Sequence, residues 1–235
     1  MLYLVGLGLN EHGYSKEAYE VISKAEKVYI DTYTIEFPYE ISALVSQFKG
    51  KKFVAAGREF VEGLKFIEEA KNRDVVLLVY GSPLVATTHT AIVKEAFDKK
   101  IKIKIIHAGS ILDAVAETGL QPYKFGKTTS LPNFPADSYL TTVKENLKVK
   151  SHTLILVDIG LSFEDAIKRL SNDCNKKKIT LSKVIVCERL GLKDSKIYYG
   201  KIKDISTSKV KAPFCFVIPG EMHFLEKEIL ESFNN

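Results

Sequence analysis

The sequence predicts an α/β protein of two domains, the first with a mainly parallel sheet and the second with a mixed sheet. Three observations carry this. Strand-like and helix-like periods alternate through the first half of the chain. The strands there are near-continuous apolar runs, DVVLLVY (Asp74–Tyr80) the most apolar of them, as expected when helices cover both faces of a sheet. Past residue 110 the rhythm changes: KVIVCER and KIYYGKIKDI are joined by the short turn GLKDS, a hairpin signal that calls for antiparallel pairing. We place the boundary between 1–109 and 110–235.

Taken in order, LYLVGLGL opens as a strand. Ser15–Ala25 follows as a helix, with Ser15 as N-cap and Ala18, Tyr19, Ile22 and Ala25 at helical spacing. KVYIDTY is a strand, PYEISALVSQF a helix and KKFVAAG a strand. Glu59–Asn72 reads as one helix, with Phe60, Leu64, Ile67 and Ala70 on one face. After DVVLLVY the backbone turns at Gly81-Ser-Pro, and a helix opens with Thr87 and Thr88 as candidate N-caps. IKIKIIH (Ile101–His107) completes the first domain.

In the second domain, HAGSILDAVAETG leads into a turn-rich stretch, LQPYKFGKTTSLPNFPADS, with Pro122, Pro132 and Pro135. A helix is expected over Tyr139–Lys150, a strand at HTLILVDI, and a helix at SFEDAIKRLSND with Ser162 as cap. KVIVCER, KIYYGKIKDI and FCFVIPG read as strands, and MHFLEKEILESF as the last helix.

Composition narrows the function classes. The 235 residues are 46% hydrophobic and 27% charged, ordinary for a soluble protein. No apolar run approaches the roughly 20 residues of a membrane span. The apolar N-terminus lacks a basic region ahead of it, so it reads as a strand rather than a signal peptide. A cytoplasmic location without a membrane partner is expected. The net charge of +5 is spread along the chain, with one run at Asn175–Lys178, and no aromatic residues interleave with a basic stripe. A nucleic-acid partner is therefore not expected. Cys174, Cys187 and Cys215 form no CxxC pair, and Cys187 and Cys215 sit in apolar runs as buried thiols. His12, His89, His107, His152 and His223 show no HxxxH spacing, so no metal site is expected.

Small residues gather at strand ends: GLGL (Gly6–Leu9), YGSPLVATTH and HAGSI (His107–Ile111). Open parallel sheets bind ligands beyond the carboxyl ends of their strands. Glycine there admits close approach, and helix N-termini offer free N–H groups. Gly6-Leu-Gly8 lacks the third glycine of a dinucleotide fingerprint, since position 11 is Glu, and Asp31 is only roughly placed for a ribose. GxxxxGK[ST] and GxSxG are absent. His89 and His107 read as structural or orienting, Asp158 as a strand-end carboxylate, and His223 and Glu226 as holding the last helix. No side chain is assigned a catalytic role.

GLGL, GSPLVATTH, HAGSI, TGLQPYKFGK, LVDI and the closing IPG-x-MHFLE, in this order over residues 1 to about 226, resemble the diphthine synthases, methyltransferases of the tetrapyrrole-methylase fold. The resemblance implies two α/β domains with S-adenosyl-L-methionine in the cleft between them, and a homodimer. It implies methylation of the amino group of the aminocarboxypropyl-modified histidine of elongation factor 2, a step toward diphthamide. It places cofactor contacts at Leu9, Ser82, Val85, Ser110, Ile111, Val157, Leu190 and Phe214. One departure stands out: the family usually has Asp where this chain has Ser82. Tyr123, Lys124, Phe125 and Lys127 would face the substrate. A tetrapyrrole or ribosomal RNA methyltransferase of the same fold remains an alternative, and so does a cofactor-binding protein without turnover, which Ser82 favours.

Overall fold

The computed structural model describes residues 1–206 and 209–233. The chain divides into two compact units, Met1–Leu112 and Asp113–Asn235.

The first unit is built on five strands: β1 (Leu2–Gly6), β2 (Lys27–Asp31), β3 (Phe53–Ala56), β4 (Val75–Val79) and β5 (Ile103–Ile106), in the order β3-β2-β4-β1-β5. Every pairing is parallel. All five residues of β4 are buried, the pattern of a central strand covered on both faces. Its helices are α1 (Lys16–Lys24), α2 (Ile41–Val45), α3 (Arg58–Glu62), α4 (Phe66–Glu69) and α5 (Thr90–Asp98), and α6 (Ile111–Ala114) spans the boundary between the units. Ser15 caps α1, its hydroxyl accepting the Ala18 N–H at 3.1 Å. Ala18 and Ile22 are buried, but Tyr19 lies outside the buried face.

The single helix expected over Glu59–Asn72 is broken. Gly63 ends α3, where a Cβ would stand 2.7 Å from the Glu59 carbonyl, and Leu64 turns left-handed at φ 55°. The break brings the rings of Phe60 and Phe66 into a stack 5.4 Å apart, with Phe60 4.7 Å from Tyr29. Thr87 and Thr88 do not cap α5. The Thr87 hydroxyl donates instead to the Pro83 carbonyl at 2.8 Å, and His89 occupies the cap position without a side-chain cap bond.

The second unit carries β6 (Thr129–Leu131), β7 (Thr153–Val157), β8 (Val184–Glu188), β9 (Lys196–Gly200) and β10 (Phe214–Ile218), in the order β6-β7-β10-β8-β9. Only β6–β7 is parallel, so the sheet is mixed. The β8–β9 hairpin is the one expected. β6 lies within the stretch read as turns; three residues between Lys127 and Pro132 are too few to show a period. KIYYGKIKDI is not one strand. β9 ends at Gly200, and α9 (Ile202–Ile205) follows, burying Ile205. α7 (Tyr139–Lys148), α8 (Phe163–Lys176) and α10 (Phe224–Ser232) complete the unit. The Ser162 hydroxyl caps α8 by accepting the Asp165 N–H at 3.1 Å. Cys187 and Cys215 are buried and face each other across β8 and β10; their contact and their burial push the Cys187 thiol well up. No helix among the described residues is long and apolar enough to cross a membrane.

Candidate active site

In the first unit, β1 lies between β4 and β5. The chain leaves β1 for β2, on the far side of β4, and leaves β4 for β5, on the far side of β1. The departures run in opposite directions, so the carboxyl ends of β1 and β4 form the switch point at which open parallel sheets bind ligands. The glycines there serve backbone packing. Gly8 N–H donates to the Gly81 carbonyl at 3.1 Å, and Gly81 N–H to the Gly8 carbonyl at 2.9 Å, with both residues near φ 70°. A Cβ at Gly6 would lie 2.7 Å from the Gly81 carbonyl and 2.9 Å from the Ala108 Cβ. Absence of side chains thus locks together the loops after β1, β4 and β5.

Five of the expected cofactor residues fall in these loops. The Leu9 carbonyl accepts the Tyr80 hydroxyl at 2.9 Å. Ser82 is buried, its Oγ 3.5 Å from His107 Nδ1, and its carbonyl accepts the Val85 N–H at 3.1 Å. Ser110 is buried and accepts the Leu112 N–H at 3.2 Å; Ile111 begins α6. His107 itself is exposed, not a core histidine, because β5 ends one residue before it. In the second unit, Val157 ends β7, Leu190 follows β8 and Phe214 begins β10. β10 runs antiparallel between β7 and β8, so its start lies beside their ends, with Phe214 opposite Glu188. These three residues therefore share one sheet edge. Phe214 is packed edge-on against Phe163 at 5.5 Å.

Two buried histidine–carboxylate contacts flank these positions, one in each unit. In the first, His89 Nε2 stands 3.0 Å from Asp31 Oδ2, with both side chains fully buried. The contact has ion-pair distance without an aligned N–H···O path. Asp31 also accepts Tyr33 N–H at 2.8 Å, Thr34 N–H at 3.2 Å and the Thr34 hydroxyl at 2.7 Å. Burial pushes the Asp31 carboxyl up, but His89, Thr34 and Tyr33 outweigh it and hold it below the usual range. Asp31 is thereby unavailable to a ribose. Between two ionised groups 3.0 Å apart the gross attraction is about 5.5 kcal/mol at an effective dielectric of 20. Desolvation costs several kcal/mol per ion, so the pair specifies an arrangement more than it adds stability.

In the second unit, Glu226 is fully buried and accepts Gln121 N–H at 2.9 Å, His223 N–H at 2.6 Å, His152 Nε2 at 3.3 Å and the Lys124 ammonium. Burial raises this carboxyl, yet these bonds hold it at about 2. His152 Nδ1 accepts the Gly220 N–H at 2.9 Å, and burial pushes the ring's pKa down. Glu226 and His223 form a capping box at the start of α10. The cluster pins the YKFGK segment to that helix. Lys124 is therefore a structural partner, Phe125 lies edge-on to His152 at 5.3 Å, and Lys127 pairs with Glu145 at 2.9 Å. Tyr123 is left 81% exposed. Both Asp158 carboxylate oxygens are engaged, by Asn133 N–H at 3.2 Å and Ile159 N–H at 3.1 Å. Sequence reasoning missed the partnership of Asp31 with His89 and of His152 with Glu226; of the latter cluster, only the His-x-x-Glu spacing gave a signal.

Residues 1–206 match the family model of tetrapyrrole (corrin/porphyrin) methylases. A diphthine synthase of Methanocaldococcus jannaschii is 39% identical, with 98% of each chain covered. The chain belongs to the diphthine synthase family of tetrapyrrole methylases. A second relative of the family, from Arabidopsis thaliana, is 32% identical over 99% of this chain and 98% of its own, and bears the name "Probable diphthine methyl ester synthase". The crystal structure of a diphthine synthase superposes with a TM-score of 0.91 at 30% identity, over 99% of this chain and 95% of that one. The α/β architecture with one parallel and one mixed sheet is thus that of the diphthine synthases.

Proposed function

We propose that this chain is an S-adenosyl-L-methionine-dependent methyltransferase. It methylates the amino group of the aminocarboxypropyl-modified histidine of elongation factor 2, giving diphthine on the route to diphthamide. We place it in the cytoplasm as a homodimer. The observation that carries the reading is the likeness to diphthine synthases over nearly the whole chain. It is supported by loops of small residues at the switch point, where a ligand can lie against backbone.

The proposed cofactor contacts are Leu9, Ser82, Val85, Ser110 and Ile111 in the first unit, and Val157, Leu190 and Phe214 in the second. Their chemistry fits the cofactor: two buried hydroxyls, at Ser82 and Ser110, suit its amino-acid end, while Val85, Val157, Leu190 and Phe214 suit the faces of a flat base. When bound, the cofactor supplies a methyl group already activated on a sulfonium. The residues of the chain hold and orient the two partners and exclude water. An amine of the α-amino kind, with a pKa of roughly 8, is about one-tenth free base at neutral pH, so freeing its lone pair costs only about 1.4 kcal/mol. No strong base is required. Asp158 suits an orienting role, since both its oxygens already hold loop N–H groups.

The name of the Arabidopsis relative favours a second reading, in which the carboxylate of the same substrate is methylated as well. One experiment tests both. The purified chain is mixed with the cofactor and with elongation factor 2 bearing the aminocarboxypropyl-histidine, and the factor is weighed by mass spectrometry. Methyl masses that survive mild alkali support amine methylation. Masses lost in alkali mark an ester. No gain, with cofactor binding demonstrated by calorimetry, rejects the substrate and returns the tetrapyrrole or RNA alternative.

A further inference from the structure

We infer that His89 is a positioning residue for the cofactor loop: clamped between Asp31 and the Pro83 carbonyl, it fixes the path of residues 81–89 on which Ser82 and Val85 are presented. The inference rests on the cofactor contacts proposed above.

The Pro83 carbonyl sits at the centre of the arrangement. His89 Nδ1 reaches it at 3.1 Å and the Thr87 hydroxyl at 2.8 Å, so both its lone pairs are used and the segment closes back on itself. Proline fixes φ at the point of closure. Ala86, inside the closed segment, takes the left-handed conformation at φ 55°, a backbone that a non-glycine residue keeps only when its surroundings demand it. The other side of the ring faces Asp31, which ends β2 and is itself held by Tyr33 and Thr34. Thr88 adds a second tether: its hydroxyl lies 3.3 Å from that of Tyr33, which donates to Glu62, the partner of Arg58. The segment after β4 is thus anchored to the segment after β2, its neighbour in the sheet.

The Pro83 contact fixes one hydrogen on the ring. A carbonyl oxygen only accepts, so Nδ1 carries hydrogen. Nε2 is thereby turned toward the Asp31 carboxylate, 3.0 Å away. The charged groups around His89 are Asp31, in contact with it, and Glu62 and Arg58, reached through Tyr33 and Thr88.

Calorimetry with S-adenosyl-L-methionine, steady-state kinetics and amide hydrogen exchange test the clamp. His89→Ala is expected to weaken cofactor affinity by about tenfold to a hundredfold, as the loop loses its preorganised path. Most of the loss should fall in KM for the cofactor and little in kcat. Protection of the Val85 N–H, bonded to the Ser82 carbonyl, should fall even without cofactor. Asp31→Ala should behave alike, and Asp31→Asn should restore most of the affinity. Asparagine can keep one oxygen for the Tyr33 and Thr34 N–H groups and donate to a neutral His89, whose Nδ1 still donates to Pro83. Nitrogen NMR should then find hydrogen on Nδ1 in the native protein and in the asparagine variant alike. Unchanged affinity and Val85 protection in a folded His89→Ala protein would overturn the inference, as would Asp31→Asn no better than Asp31→Ala. If His89→Ala does not fold, Thr87→Val takes its place: weaker binding with faster Val85 exchange supports the clamp, and neither change rejects it. If the native protein binds no cofactor, the cofactor reading falls, while hydrogen exchange and NMR still judge the clamp.

Discussion

His89 with Asp31 and His152 with Glu226 are the same two kinds of group, both buried, and they come to opposite arrangements. The difference lies in what the other ring nitrogen meets. His89 Nδ1 faces a carbonyl and must donate, which turns Nε2 toward Asp31. His152 Nδ1 faces the N–H of Gly220 and must accept, so its ring is neutral and Lys124 balances Glu226. A single backbone group thus decides whether Nδ1 of a buried imidazole donates or accepts. The first contact shapes a loop at the switch point; the second ties a peptide segment to a helix.

The largest expected effect would break this contrast at Glu226. Replacing Glu226 with Ala removes the acceptor for two backbone N–H groups, a lysine and a histidine, and should cost about 3–5 kcal/mol in urea unfolding. The same carboxylate sets an acid limit. It titrates at about 2 in the folded chain and at 4.5 unfolded, so the unfolded chain binds the proton first as pH falls. Its stabilisation is complete above 4.5 and disappears between 4.5 and 2, a loss that Glu226→Gln should lack. His152 adds to the loss earlier: its lowered pKa lets the unfolded chain take up a proton first below 6.5. Gly6→Ala, which drives a methyl into the Gly81 carbonyl, should cost about 1–3 kcal/mol and weaken cofactor binding, both readable in one calorimetric series. Ser82→Asp should strengthen cofactor binding about fivefold, as a charge-assisted bond replaces a neutral one; weaker binding would place the cofactor's ammonium elsewhere. The smallest change in stability, within about 0.5 kcal/mol, is expected for Tyr123→Ala, since that ring is exposed. If Tyr123 meets the substrate, the same variant slows methyl transfer more than it weakens cofactor binding.

What the sequence disclosed follows the range of the forces involved. The strands of both sheets other than β6, the caps at Ser15 and Ser162 and the hairpin of β8 and β9 are written in neighbouring residues. Helix ends were harder to read because lysine often stands where glycine would signal a stop. Lys100, Lys150 and Lys178 are left-handed beyond the ends of α5, α7 and α8, so α7 ends at Lys148 rather than at the expected Lys150. The broken helix at Gly63 and the short strand β6 escaped because each is decided by packing. At the switch point, the glycine loops were legible as small residues at strand ends. Asp31 and His89, 58 positions apart, meet only because β2 and β4 are neighbours in the sheet, and no local pattern records that.

The lock of Gly6, Gly8 and Gly81 also bears on how such a sequence can drift. Any replacement at position 6 puts a carbon where a carbonyl and a methyl already stand. Ser82, immediately after the lock, already carries a side chain and meets no such backbone obstacle. Substitution is therefore far more constrained at the glycines that shape the loops than at the side chain beside them. A change at position 82 can then alter the chemistry of the loop while its backbone path stays intact.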